Sequence, residues 1–292
     1  MGVRKRCLPS GWYPETAEQT LREIDEIRGT DLPPGDAESV PGMRAGPACA
    51  GVLPHAGWRF SGRLALEVLS ALTRGIDTIV IIGGHMGSAD RIVAAFEDAY
   101  DTPLGELEAD LPLLRALSPS LDIGEDRERD NTVEVHLPFV RYLSPGTMVL
   151  GLRAPASSRA VDLGRSIADA AARLGRRVAV AGSTDLTHYG SNYDFSPAGH
   201  GAEGLRWMRE VNDRRVLESM LSLDVEAALQ RAQHERSACS IGGAAAAMSF
   251  ARESGASRGN LVGYMTSFDV QPGSSFVGYA GILYPREGPS EG

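Results

Sequence analysis

The segment Thr78-Ile-Val-Ile-Ile-Gly-Gly-His-Met-Gly87 begins with five consecutive β-branched residues and then breaks into paired glycines and a histidine. An apolar run without polar alternation is the pattern of a strand covered on both faces. The glycines give a sharp turn, so the imidazole stands at the strand's carboxyl end. Working outward, similar runs recur at Ala48 to Leu53, Arg91 to Phe96, Met148 to Leu152, Val178 to Ala181, Leu261 to Met265 and Phe276 to Leu283. Helical periodicity fills the intervals at Pro14 to Ile27, Gly62 to Leu72, Leu104 to Leu117, Thr132 to Tyr142, Ser158 to Leu174, Ala202 to Glu218, Val225 to Arg231 and Cys239 to Arg252. This interleaving predicts an α/β fold, a three-layer sandwich whose central, mainly parallel or mixed sheet is covered by helices on both faces.

The chain has 292 residues, enough for a large core, and no composition break divides it, so one domain over 1–292 is expected. Gly29 to Gly46, rich in Pro, Gly and acidic residues, reads as a surface loop, and Arg286 to Gly292 as a frayed tail. Twenty-nine Lys+Arg against 38 Asp+Glu leave a formal charge of −9, which argues against partners held by a basic surface, whether nucleic acid or anionic membrane. The odd set Cys7, Cys49 and Cys239 is no disulfide framework and fits a reducing cytoplasm. The N-terminal MGVRKRCLPSG lacks the apolar stretch of a signal peptide, and no apolar run approaches the roughly 20 residues of a bilayer span. A cytoplasmic protein with a small-molecule partner is the expectation.

Three of the six histidines follow strands: His55 in GVLPHAGW, His85 in IIGGHMG and His188 in AGSTDLTHYG. Loops at the carboxyl ends of parallel strands share one sheet edge, where ligands bind. A lone loop histidine is more often merely hydrogen-bonded, but three in equivalent positions point to a metal site, because neutral imidazole is the commonest ligand for Zn, Fe, Cu and Ni. Cys239 opens the Ala-rich stretch CSIGGAAAAMSF. A helix start lowers a thiol pKa and suits it as ligand or nucleophile, against the alternative of a small core residue. Gly242 and Gly243 imply close approach to that helix's first turn.

Asp185, three residues before His188, is placed to orient an imidazole or to cap its own loop. Asp130 or Asn131 reads as a helix N-cap, with His136 beyond it a weaker acid–base candidate. Trp58 and Tyr189 each lie close behind or beside a key histidine and are read as walls of an aromatic pocket, with core packing as the alternative. His200 and His234 sit in polar surroundings and are read as solvated. No Walker A, GxGxxG or Gly-x-Ser-x-Gly motif is present to support a nucleotide enzyme or a serine hydrolase.

Taken in order, GWYP, LPHAGWRFSG, IIGGHMG, NTVEVHLPF, STDLTHYG, the Cys239 helix and SFVGYAGILY resemble the Memo family, also called AmmeMemoRadiSam system protein B, from about Gly11 to Tyr284. The family looks like the class III extradiol ring-cleaving dioxygenases in fold, and those enzymes use non-haem Fe(II). The resemblance implies that His55, His85 and Cys239 are metal ligands and that His188 is a pocket histidine beside the metal. A thiolate in place of a carboxylate ligand is softer, compatible with Fe(II) but drawing the site toward Zn or Cu. One position departs: the family usually shows Glu-His-Ser where this chain has Asp130-Asn131-Thr132, and an amide exchanges no proton near neutral pH.

The expected activity is that of a metal-dependent oxidoreductase, a non-haem iron dioxygenase of the extradiol type acting on a small aromatic substrate and O₂. In it His55, His85 and Cys239 hold the metal, His188 oriented by Asp185 moves protons with His136 in reserve, and Trp58, Tyr189 and Asn131 line the pocket. The rival from another class is a metal-binding, non-catalytic interaction or chaperone protein, motivated by Asn131 and the thiolate. A metallohydrolase, with His188 shuttling protons for a metal-activated water, is the third. A homo-oligomer is compatible with all three.

Overall fold

The computed structural model describes residues 2–31 and 48–286. Among them, nine strands form the main sheet, in the spatial order His188–Tyr189, Phe276–Pro285, Ala48–Leu53, Val178–Ser183, Thr78–Gly83, Met148–Arg153, Val93–Ala94 and Gly124–Glu125, with Asn260–Thr266 added onto Phe276–Pro285. The four strands from Ala48–Leu53 to Met148–Arg153 run parallel, and Phe276–Pro285 is antiparallel to Ala48–Leu53. Their register sets Leu53 beside Ser183, Ile82 beside Gly182 and Gly83 beside Arg153, so the four carboxyl ends finish level along one edge.

Both faces are covered, which is why the central strands carry no polar alternation. Ile79, Ile81, Ala179 and Ala181 pack with Leu66, Leu69 and Leu72 of the helix Trp58–Leu72 and with Ile24 and Phe139. Val80, Ile82 and Val180 point the other way, into Leu163 and Ile167 of the helix Ser158–Leu174 and Ala244, Ala247 and Met248 of the helix Ile241–Glu253. The expected sandwich is the observed fold, with a mixed sheet. Among the described residues, no helix is long and apolar enough to cross a membrane.

Several expected boundaries move, each for a local reason. The helix expected over Thr132 to Tyr142 is split into Asn131–Glu134 and Leu137–Leu143. Pro138, in the first turn of the second piece, has no N–H to continue the ladder and its ring crowds the preceding turn. The helix expected over Leu104 to Leu117 shrinks to Leu111–Ala116, started by the Asp110 cap and Pro112, while Leu107–Glu108 pairs with Ala99–Tyr100 in a small separate sheet. Arg91 to Phe96 is extended as a strand only at Val93–Ala94. The helix expected over Ala202 to Glu218 spans Gly201 to Leu221 and carries a π-helical stretch at Met208–Asp213. The expected loop at 29–46 and tail at 286–292 lie largely outside the described residues.

The close approach implied by Gly242 and Gly243 is to the sheet itself. A Cβ on Gly243 would stand 2.1 Å from the Ile82 carbonyl oxygen, and one on Gly242 2.2 Å from that of Ala154. Only glycine lets the start of the Ile241–Glu253 helix rest on the carboxyl edge of the sheet.

Candidate metal centre

Each candidate donor is delivered by a strand end or by the segment that seals it. His55 follows Ala48–Leu53 by way of Pro54, and His85 follows Thr78–Gly83 by way of Gly84, whose φ of 106° no L side chain adopts easily. Cys239 precedes the helix Ile241–Glu253, whose N-cap is Ser240. Hydrogen bonds tie these loops together: the Cys239 N–H donates to the Asp185 carbonyl at 3.2 Å, the Ser240 N–H to Thr184 Oγ1 at 3.1 Å, and Ser240 Oγ to the Gly84 carbonyl at 2.9 Å.

The result is a cluster in which one donor atom each from His55, His85 and Cys239 lies within 4.8 Å of the others. Nε2 of His55 is 3.3 Å from Sγ of Cys239. Nitrogen and sulfur bound to one tetrahedral ion sit about 3.6 Å apart, given bonds of about 2.0–2.1 and 2.3 Å. Two imidazoles and one sulfur therefore fit a borderline or soft divalent ion, and the approach of the histidine and the thiol is already close to what such an ion requires.

The surroundings keep the ring nitrogens in order. His55 is buried, and burial, reinforced by repulsion from His85 and His188, lowers its pKa to about 3, so its ring is the neutral form a metal needs. Its Nδ1 lies 3.0 Å from Ser183 Oγ, and its backbone N–H donates to Asp185 Oδ1 at 2.8 Å. His85 is largely exposed and meets Asp130 Oδ2 through Nδ1 at 3.2 Å. Burial pushes the Cys239 thiol pKa well up, and the Asp185 charge adds to the effect. Burial thus outweighs the lowering expected at a helix start, and the helix itself begins two residues later. A coordinated cation reverses that sign, since a coordinating thiol is deprotonated.

Beside the cluster opens a pocket of about 560 Å³, whose lining includes His55, His85, Asn131, Asp185 and His188, with Trp12, Phe60, Tyr193 and Tyr279 as its aromatic members. His188 is held by Nδ1 against the Leu186 carbonyl at 3.1 Å and edge-on to Tyr193. A carbonyl only accepts, so Nδ1 carries the proton and Nε2 is the ring's acceptor.

A model of the Memo-like protein family matches residues 4–283. The chain belongs to the Memo family. It is 31% identical over 301 residues to a MEMO1 family protein of Thermococcus onnurineus, covering 97% of this chain and 100% of that one. It is 34% identical over 302 residues to a MEMO1 family protein of Pyrococcus abyssi, covering 97% and 100%. The crystal structure of an uncharacterized protein from Escherichia coli K12 shares the fold, with a TM-score of 0.53 and 13% identity over 80% of this chain and 98% of that one.

Within this Memo-family chain, several expected site residues are placed differently from the sequence reading. Trp58 is no pocket wall: it is buried, stacked on Phe139 at 3.8 Å, with Nε1 donating to the Val135 carbonyl. Tyr189 is likewise in the core, stacked on Phe276 at 5.2 Å. Its alternation opposite His188 on one short strand turns the two side chains to opposite faces. Asp185 does not orient His188, which the Leu186 carbonyl holds; it fastens the His55 backbone instead, and burial raises its pKa to about 6 against the pull of His188 and the His55 N–H. His136 is buried, is absent from the pocket lining and meets Ser183 Oγ through Nε2 at 3.0 Å, so it touches no substrate space. Asn131 does reach the pocket, and its Nδ2 donates to the His55 carbonyl at 2.9 Å.

Ser183, Trp12, Phe60 and Tyr193 carried no assignment in the sequence. Ser183 ends a strand level with Leu53, a position the strand pattern contains, whereas Trp12 arrives from a distant segment with no periodicity to announce it.

Proposed function

We propose that this Memo-family protein is a metal-dependent oxidoreductase, a non-haem iron dioxygenase of the extradiol type acting on a small aromatic diol. The observation that supports it is one conjunction: His55, His85 and Cys239 bring their donors together, and the two histidines of that cluster line a pocket with aromatic walls that also presents His188. His55, His85 and Cys239 would hold a divalent iron, which would supply the redox and Lewis-acid chemistry that the reaction of a diol with O₂ requires. In the net reaction the ring carbon–carbon bond beside the diol breaks and both oxygen atoms of O₂ enter the product, so no external reductant is consumed.

The chain's own residues do the rest. Trp12, Phe60 and Tyr193 line the pocket with aromatic surface against which a substrate ring can pack. His188 takes the substrate hydroxyl proton at Nε2, because Nδ1 is committed to Leu186. Asp185 fixes the His55 loop through its backbone N–H. Three free cysteines fit work in a reducing cytoplasm.

Asn131 favours a second reading, a metal-binding protein without turnover. Its amide spends a donor on the His55 carbonyl and offers the pocket no titrating group. Protein purified without oxygen, loaded with Fe(II) and mixed with a panel of catechols distinguishes the two. The dioxygenase consumes O₂ in proportion to ring-cleaved product. Verified metal with no O₂ uptake across the panel contradicts it and leaves the binding protein.

A further inference from the structure

Ser183 Oγ lies 3.0 Å from His55 Nδ1 and 3.0 Å from His136 Nε2, and all three side chains are buried. The serine thus bridges two imidazoles. Resting on the metal reading above, His55 must keep Nε2 bare for the ion, so its ring proton sits on Nδ1 and donates to Ser183 Oγ.

A hydroxyl cannot by itself enforce that arrangement, because it accepts and donates equally well. His85 shows the contrast: its Nδ1 faces the carboxylate of Asp130, which only accepts and therefore fixes the tautomer alone. Ser183 accepts from His55 only if its own hydrogen is held elsewhere. Among the described residues, the other group on that oxygen is His136 Nε2. His136 meanwhile bears a cost, since its Nδ1 is buried with no hydrogen-bond partner among the described residues. A buried ring that leaves one nitrogen unpaired in order to present the other to a serine is arranged for that serine.

We infer that His136 is a positioning residue for the metal centre: its bare Nε2 holds the Ser183 hydroxyl proton, which leaves Ser183 Oγ as an acceptor and locks His55 in the tautomer that presents Nε2 to a metal. His136 acts through Ser183 and touches neither metal nor substrate.

Nitrogen-15 NMR of the Zn(II)-loaded wild-type protein reads this directly and needs no variant. The expected spectrum has His136 protonated on Nδ1 and bare at Nε2, with His55 protonated on Nδ1. A His136 ring carrying its proton on Nε2 overturns the inference. In competition titrations with Zn(II), His136→Phe and Ser183→Ala each weaken binding by about 10- to 100-fold, the usual effect of removing a ligand's hydrogen-bond partner. The double variant is no weaker than either single one, because the two act as one unit. His136→Gln, whose amide oxygen can occupy the Nε2 position, restores most of the affinity. His136→Phe that stays folded without metal and binds Zn(II) as tightly as wild type contradicts the inference. Wild-type protein that takes up no Zn(II) through His55, His85 and Cys239 sinks the metal reading itself, and this inference falls with it.

Discussion

Asp130 Oδ2 stands 3.2 Å from Nδ1 of His85, and the same carboxylate caps Thr132 and lies 3.6 Å from the buried guanidinium of Arg153. Burial alone would raise the Asp130 pKa, but hydrogen bonds from His85 and Thr132 hold it well below the usual carboxylate range. An ionised, anchored carboxylate keeps the His85 proton on Nδ1 and frees Nε2. Asp130→Ala should therefore weaken Zn(II) binding by about 10- to 100-fold. Asp130→Asn, which still accepts, should lose less. Calorimetric titration checks both, and unchanged affinity in Asp130→Ala contradicts the role.

The two tryptophans near the site divide by environment. Trp58 is sandwiched in the core, so Trp58→Ala should cost about 3–5 kcal/mol of stability. Trp12 is only half-buried and lines the pocket, so Trp12→Ala should raise KM or Kd for an aromatic ligand while melting close to wild type. Thermal melts beside ligand titrations separate the two, and the reverse pattern would refute the placement of the pocket.

Gly243→Ala places a methyl 2.1 Å from the Ile82 carbonyl oxygen, a backbone atom that cannot swing aside. The helix start must lift off the sheet edge and carry Cys239 with it. Expected are a stability loss of about 1–3 kcal/mol and a weaker metal site. A variant with native melting and native metal affinity would show that the helix seat is not what positions the thiol.

The π-helical stretch turns both Asn212 and Asp213 toward Thr187, next to His188. Asp213 also accepts from the Tyr264 hydroxyl at 2.7 Å, and burial raises its carboxyl pKa to about 7. The unfolded chain loses this proton near the ordinary value of 3.8, whereas the folded chain keeps it until about 7. Its contribution to stability is therefore greatest at and below pH 4 and falls as pH rises to about 7. Asp213→Asn removes the titration, so its melting temperature relative to wild type should climb between pH 5 and pH 8. A difference independent of pH contradicts the raised pKa.

Much of the fold was legible because burial on both faces writes itself into the strands: Thr78–Gly83 and Val178–Ser183 sit where their apolar runs lie. The strand-end histidines follow from the same pattern, since parallel strands finish level. What stayed hidden depends on contacts between distant segments. The hydroxyl of Ser183 reads as an ordinary strand-end serine until two imidazoles converge on it. Trp58 and Tyr189 misled because adjacency to a histidine in sequence says nothing about which way a side chain turns, and the helix and the short strand turned both into the core. Asp130 reads as a helix cap, which it is, and its second task toward His85 needs the third dimension.

The most direct test is the metal content of protein purified without oxygen, wild type beside Cys239→Ala. The account predicts one divalent ion per wild-type chain, with a sulfur scatterer in its X-ray absorption spectrum, and loss of both the sulfur signal and most of the metal in the variant. A Cys239→Ala protein that keeps its full metal content, or a wild-type site whose spectrum shows no sulfur, would contradict it.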